Sequence, residues 1–296
     1  MPNIKLRSRI AGCLCLLSVS ACGGADLEHV DQDSQRFSTA PGEANHEEVT
    51  RAGLSFLRAE IATAIVAANV ATDVEFALVN ANHFDDCNFS GGSRVIASSE
   101  AAAVSALQPS LPLTSDALAI VHFGRALHAS QDFYAHSNWV ELNGSTLLDR
   151  SLGAFPVLTP YTAVPSTGFV LIQGRKPPTS ALTRKEDAPY PSNAVVTFRL
   201  RQRTAPGLIS GTVDYEPGDD CPASVAMTHD ELNKDKSTIA GREQQYEAAK
   251  ALATSQTRHE WCRLAALVQQ AWGDAGTARL SAWLDPAAVP PDCDVD

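Results

Sequence analysis

The chain has 296 residues, 44% of them hydrophobic and 19% charged, with 23 basic against 34 acidic side chains and a net charge of −11. That length and apolar share suit one large domain or two small ones and exclude a disordered, collagenous or disulfide-knotted chain. No apolar run reaches the ~20 residues that span a bilayer, and the acidic balance argues against nucleic acid bound by bulk electrostatics.

Residues 1–21 read as a signal peptide. Lys5, Arg7 and Arg9 form a basic start, and Ile10 to Ser20 is an apolar core too short to span a membrane. The Val19-Ser20-Ala21-Cys22 string resembles a bacterial lipoprotein cleavage box. Cleavage there leaves Cys22 as an acylated first residue; the alternative is an ordinary secretory signal cut elsewhere. Removing residues 1–21 leaves 20 basic against 34 acidic side chains, a charge of −14. Dual or triple acylation anchors stably, because each buried methylene adds ~0.8 kcal/mol. The expected location is the cell envelope, at the outer membrane or cell surface, or else periplasmic or secreted. In that oxidising setting disulfides are expected among Cys87, Cys221, Cys262 and Cys293, with all three pairings open. Residues 22–44, from the lipidated Cys22 onward, form a polar tether, and about twenty such residues reach roughly 25 Å.

From Asn45 the pattern turns helical, and residues 45–285 read as a single helical metal-binding domain. Leu54, Leu57, Ile61 and Ile65 recur at three- and four-residue steps and line one face. A second helix is expected over Asp73 to Asn80 and a third over the alanine-rich Ser93 to Leu107. Thr114, Ser115 and Asp116 offer an N-cap for a long helix reaching about Leu142. Between about residues 155 and 221 a series of prolines from Pro156 to Pro191 breaks any helix. Phe169–Ile172 and Val195–Leu200 look like short strands there, so an irregular or β insertion is expected. Helices resume over Arg242–Thr254 and Gln256–Trp272, and residues 286–296 read as a loose tail. The fold class is mainly α.

Five of the eight histidines crowd between His46 and His136. His128, Asp132 and His136 are spaced i, i+4, i+8. Each four-residue step turns an α-helix by about 400°, so the three side chains leave one face within ~40° steps. Nitrogen and carboxylate lone pairs so arranged suit a divalent metal. The alternative is a solvated polar face, and the large apolar neighbours Leu127, Phe133, Tyr134 and Trp139 argue against it. A second cluster, Asn82 to Phe89, places His83, Asp85 and Asp86 within four residues; His83 and Asp86 are the ligands expected from it. His46 opens the first helix, where Glu47 and Glu48 need only the helix dipole to explain them. His229 opens a polar knot running to Asp235. His122 lies about 120° around the helix from His128 and is expected to be structural. Neither a Gly-x-Ser-x-Gly elbow nor a P-loop occurs.

Residues 127–142, LHASQDFYAHSNWVEL, resemble the signature helix of the heterokaryon-incompatibility C (Het-C) family. HEEVT (46–50), HFDDC (83–87) and THDELNKD (228–235) resemble that family's other recurrent segments. The family is similar to the zinc-dependent phospholipase C and single-strand nuclease superfamily, whose members are all-helical and hold three zinc ions in a cleft lined by His and Asp. The resemblance implies a helical zinc-phospholipase-C-like bundle with an insertion around 155–221, holding two or three Zn2+ ions. By position it makes His128 a zinc ligand and Asp132 a bridge between two zincs. His83, followed by Phe84, matches another zinc histidine. His136 matches a further one, although four residues beyond the bridging aspartate where six is usual. His46 matches an early helical ligand, and His229 with Asn233 or Asp235 stands nearest to a late His-x-x-x-Glu pair. Asp73 is placed as the catalytic base. The superfamily's amino-terminal ligand has no counterpart, because the mature terminus is the acylated Cys22. The implied function is a phosphoric-ester hydrolase acting on phospholipid or another phosphodiester, with the membrane reached through Cys22. A nuclease, and a non-enzymatic Het-C-like surface module with structural metal, are the alternatives.

Overall fold

A computed structural model describes residues 46–76, 79–148, 169–175, 198–204, 207–212, 229–234 and 243–293, all within one compact unit spanning residues 33–296. The expected signal peptide, lipidated Cys22 and tether, together with Cys221 and Asp235, lie outside the described residues. The described chain is mainly helical: α1 (His46–Gly53), α2 (Ala59–Glu75), α3 (Asn80–His83), α4 (Phe89–Ala106), α5 (Asp116–His136), α6 (Trp139–Asn143), α7 (His229–Leu232) and α8 (Glu243–Ser281). Strands β1 (Phe169–Arg175) and β2 (Phe198–Thr204) fall inside the expected insertion. They pair antiparallel, with Phe169 opposite Thr204 and Arg175 opposite Phe198. None of the described helices is long and apolar enough to cross a membrane.

Helix α5 is the axis of the molecule. Every residue from Ala126 to His136 is buried, which removes the solvated-face alternative for its polar side chains. Two apolar cores meet along it. Phe133 and Tyr134 pack with Phe84, Phe89, Trp139 and Tyr246 on one side. Phe123 and Leu127 pack with Leu54, Ile65, Trp261 and Trp283 on the other. The helix begins at Asp116, whose carboxylate accepts from Arg279 Nε at 2.7 Å and Trp283 Nε1 at 3.2 Å. An acidic group suits the positive end of a helix dipole, and here it also latches the end of α8.

Gly124 sets how near α2 comes to α5. A Cβ at this position falls 2.7 Å from Ala68 Cβ and 2.9 Å from both Asn69 N and Ile65 O. Only a residue without a side chain permits that crossing, and the crossing carries Asn69 and Asp73 of α2 onto His128.

Several boundaries differ from the sequence expectation. The first apolar stripe is split between α1 and α2, because residues 54–58 leave the helix to pair with the chain near Trp283. Arg58 N donates to Trp283 O at 2.9 Å, and Asp285 N donates to Phe56 O at 3.0 Å. Asp73 lies in the last turn of α2 rather than opening a helix of its own. Helix α4 starts four residues early, at Phe89, where Asn88 Oδ1 accepts from Gly91 N at 3.0 Å and caps it. Helix α5 ends at His136, and Ser137 turns extended to bridge Ser210. The two late helices are one long element, broken at Gly273 with φ 59°. The tail was expected to be loose, but Cys293 is disulfide-bonded to Cys262 and packs against the second core. Cys87 is also in a disulfide.

Candidate metal centre

Five helices and one turn deliver ionisable side chains to one buried region. Helix α1 contributes His46, α2 Asp73, α3 His83 and α5 the series His128, Asp132 and His136. The turn after α3 adds Asp85, and α7 adds His229. Three groups have ligand atoms within 4.8 Å of one another: His46, Asp73 and His128; His83, His128 and Asp132; and Asp85, His136 and His229. The first two share His128 and form one continuous cluster, whereas the third shares no residue with them. The residues therefore fit at least two divalent ions.

Asp132 joins the clusters. Its Oδ2 lies 2.9 Å from His83 Nδ1 and 3.1 Å from His128 Nε2. Its Oδ1 lies 3.2 Å from His46 Nε2 and 4.0 Å from His136 Nε2. The carboxylate is 1% exposed, and Oδ1 has no hydrogen-bond donor in good geometry among the described residues. A buried anionic oxygen left in that condition is costly unless a cation takes it, and the donor set of imidazole and carboxylate suits Zn2+. Asp73 spans the first group, with Oδ1 3.6 Å from His128 Nε2 and Oδ2 3.9 Å from His46 Nε2.

Burial and charge act against each other here. Burial opposes a charged His46 ring, but the carboxylates of Asp132 and Asp73 outweigh it and lift its pKa to about 9. His83 is likewise penalised by burial and nevertheless raised, chiefly by Asp132. At His128 burial and the neighbouring His46 prevail and lower the pKa. Burial would raise Asp132, but the imidazoles of His128, His136 and His46 hold it well below the usual carboxylate range. The cluster is thus a tight array of opposite charges even before a metal enters.

The third group depends on an unusual turn. Phe84, Asp86 and Cys87 all take positive φ, at 57°, 55° and 57°. Non-glycine residues pay of order 1–3 kcal/mol each for such conformations. Hydrogen bonds hold them: Asp86 N donates to Gly211 O, and Cys87 N donates to Ser210 Oγ, each at 2.8 Å. The turn swings Asp85 inward, where its Oδ1 lies 3.0 Å from His229 Nδ1 and 3.8 Å from His136 Nδ1. Asp86, the ligand expected from sequence, faces the other way and accepts from Asn80 Nδ2. Asp85 takes its place because the left-handed conformations reverse which of two adjacent carboxylates faces the site.

His229 is fixed by the segment 207–212, which threads between α5 and α7. His229 N donates to Thr212 O at 2.9 Å, and Gly211 N donates to His136 O at 3.1 Å. A Cβ on Gly211 would meet His229 Cα at 2.4 Å, so the glycine permits the contact. Buried Lys234 staples the end of α7 to the end of α5, donating to Ser137 O at 2.6 Å and pairing with Glu141 at 3.2 Å. The Asn233 amide sits 3.2 Å from His229 Nε2.

Of the site residues expected from sequence, His46, Asp73, His83, His128, Asp132, His136 and His229 come together. Asp86 does not join them, and His122 and His259 belong to none of the three groups. Sequence reasoning missed Asp85 as a candidate ligand and the amides of Asn69 and Gln131. The only signal for Gln131 was its place beside Asp132 in the motif.

Residues 44–155 match the family model of the VWA7 N-terminal domain. That stretch carries every residue of the three groups except His229. No curated protein and no solved structure matches the chain.

Proposed function

We propose that this chain is a metal-dependent phosphoric-ester hydrolase, with zinc as the resident ion and a helical bundle like that of the zinc phospholipases C. The observation that supports it most is Asp132: one buried carboxylate facing four imidazoles on two sides. Such a group bridges neighbouring cations in two-metal phosphoryl-transfer sites. His83, His128, His46 and Asp73 would hold metal on one side of Asp132, and His136, His229 and Asp85 on the other. When bound, divalent ions supply Lewis-acid polarisation of a phosphoryl oxygen and acidify water.

The chain's own residues do the rest. Asp73, with a side chain 8% exposed, is the most open of the carboxylates in the first cluster. In this reading its carboxylate orients the attacking water and takes its proton. Het-C-like membership accords with the motifs along α5, and membrane tethering through Cys22 would bring a phospholipid to the site. A second reading keeps the metal but not the chemistry. The side chains are 0–6% exposed apart from Asp73, and closed burial is typical of structural metal sites.

One experiment separates the readings. The purified chain is assayed for metal by mass spectrometry, and for hydrolysis of phospholipid and nucleotide phosphodiesters before and after chelation. Two or more ions per chain with chelator-sensitive hydrolysis support the enzyme. Bound metal without turnover on any phosphodiester refutes it and leaves the structural centre.

A further inference from the structure

We infer that one line of donor–acceptor polarity, starting at the Ala253 carbonyl and passing through Thr257, Gln131 and Asn69, fixes the ring tautomers of both His46 and His128, so that Gln131 and Asn69 are positioning residues of the metal centre. This deepens the metal-dependent function proposed above and rests on it only for its consequence, metal affinity.

The hydroxyl of Thr257 donates to Ala253 O at 2.8 Å. Its single proton is spent there, so towards Gln131 it can only accept. The Gln131 group facing it, 2.9 Å away, must therefore be the Nε2 amide, whose other proton goes to Thr50 Oγ1 at 3.0 Å. The far end of the same side chain is then an acceptor. Oε1 meets His46 Nδ1 at 2.7 Å and Asn69 Nδ2 at 3.1 Å. His46 must donate from Nδ1. Asn69, having turned Nδ2 to Gln131 and to Thr50 Oγ1 at 3.1 Å, presents Oδ1 to His128 Nδ1 at 3.2 Å. His128 must also donate from Nδ1.

A neutral imidazole protonated at Nδ1 keeps its lone pair on Nε2. Those are the atoms that face Asp73 and Asp132 in both rings. Thr50, Asn69, Gln131 and Thr257 are each 0% exposed, so no solvent can substitute for a missing partner. The four residues come from α1, α2, α5 and α8 in turn. Helix packing thereby decides which nitrogen is offered to a metal, the role outer hydrogen bonds play around metal-bound histidine.

The test is nitrogen NMR of the full chain with 15N-labelled histidine, metal-free and above the raised His46 pKa of about 9. The rings are neutral there and the tautomer is visible without any metal. His46 and His128 are expected as Nδ1–H tautomers; finding either ring as Nε2–H overturns the inference. In parallel, Zn2+ affinity is measured by chelator competition. Gln131→Met keeps the side-chain length and loses both polar ends, and is expected to weaken Zn2+ binding about 10–100-fold. Gln131→Glu keeps the acceptor for His46 and Asn69 but turns an oxygen onto Thr257 Oγ1, whose proton is already spent, and is expected to recover only part of the loss. A folded Gln131→Met with wild-type affinity and unchanged tautomers overturns the inference. Thr257→Val, a substitution of the same shape, takes the place of Gln131→Met if that variant does not fold, and a mixed His46 tautomer is expected. A wild-type chain that binds no Zn2+ refutes the proposed function, while the metal-free spectra still decide the tautomers.

Discussion

Gly124→Ala probes how fold geometry reaches the site, because the substitution lies one turn before His128 and touches no candidate ligand. The added methyl falls 2.7 Å from Ala68 Cβ, whereas carbon atoms settle about 3.5–4.0 Å apart. Helix α2 must therefore retreat by roughly 1 Å. Overpacking of this kind costs about 1–3 kcal/mol, and the gain in helix propensity returns about 1 kcal/mol. The net loss of stability is about 0–2 kcal/mol, a fall of a few degrees in Tm for a domain of this size. The larger effect is local. Asn69 Oδ1 is 3.2 Å from His128 Nδ1 and Asp73 Oδ1 is 3.6 Å from His128 Nε2. A retreat of ~1 Å takes the first beyond hydrogen-bonding range. Zn2+ affinity, read by chelator competition, is expected to fall at least tenfold, about 1.4 kcal/mol, while circular dichroism stays helical. Adding Ala68→Gly removes the closest contact and is expected to restore part of the affinity. A Gly124→Ala chain with wild-type affinity and an unchanged or higher Tm would refute the reasoning.

Asp85→Asn is expected to remove metal from the third group while Asp86→Asn retains it, by mass-spectrometric stoichiometry; equal metal in both variants contradicts the geometry of the turn. Replacing Cys262 and Cys293 by Ser opens a loop of separation 31, for which chain entropy gives a loss of about 3.7 kcal/mol in denaturant unfolding. Glu100 is pushed up to about 10 by burial and by Glu260, against the pull of Arg263. A raised carboxyl pKa gives stability that is complete below the unfolded value near 4.5 and is lost as pH climbs through about 10. Glu100→Gln mimics the neutral acid, so its stability advantage over wild type should widen from pH ~5 to ~9 by up to ~1.4 kcal/mol per pH unit; parallel pH profiles for the two chains would show that Glu100 does not carry the proton. Chelation is expected to abolish binding of a non-hydrolysable phosphodiester together with turnover, measured by equilibrium dialysis.

The candidate ligands on α5 were legible because a four-residue step on a helix is a local rule, and His128, Asp132 and His136 obey it without help from the rest of the chain. The large apolar neighbours in the same motif already implied burial. Asp73 was legible as a site residue, but not its place at the end of α2, since no Pro or Gly near Glu75 marks where that helix ends. Asp85 was not separable from Asp86, because two adjacent carboxylates are exchanged by a left-handed turn that Gly211 and Ser210, more than a hundred residues away, help to hold in place. The same holds for the break after α1. Its cause is pairing with residues near Trp283, a contact that no local pattern encodes.

Charge decides what the site can bind. Asp73, Asp85 and Asp132 bring three carboxylates into one buried region of a chain whose net charge is already −11. The imidazoles around them contribute no charge when they act as ligands, because a metal takes the lone pair of a neutral ring. A phosphodiester is an anion; without metal the raised rings of His46 and His83 offset only part of the three carboxylate charges, so the region still disfavours it, and a low local dielectric makes that repulsion stronger than in water. Two divalent ions more than balance three carboxylates and reverse the sign locally. The reversal is confined to the site, since charges more than a Debye length of ~8 Å away are screened at physiological salt. An acidic protein can thus serve an anionic ester only through its bound cations, and the same ions that would activate the phosphoryl group are the ones that would admit it.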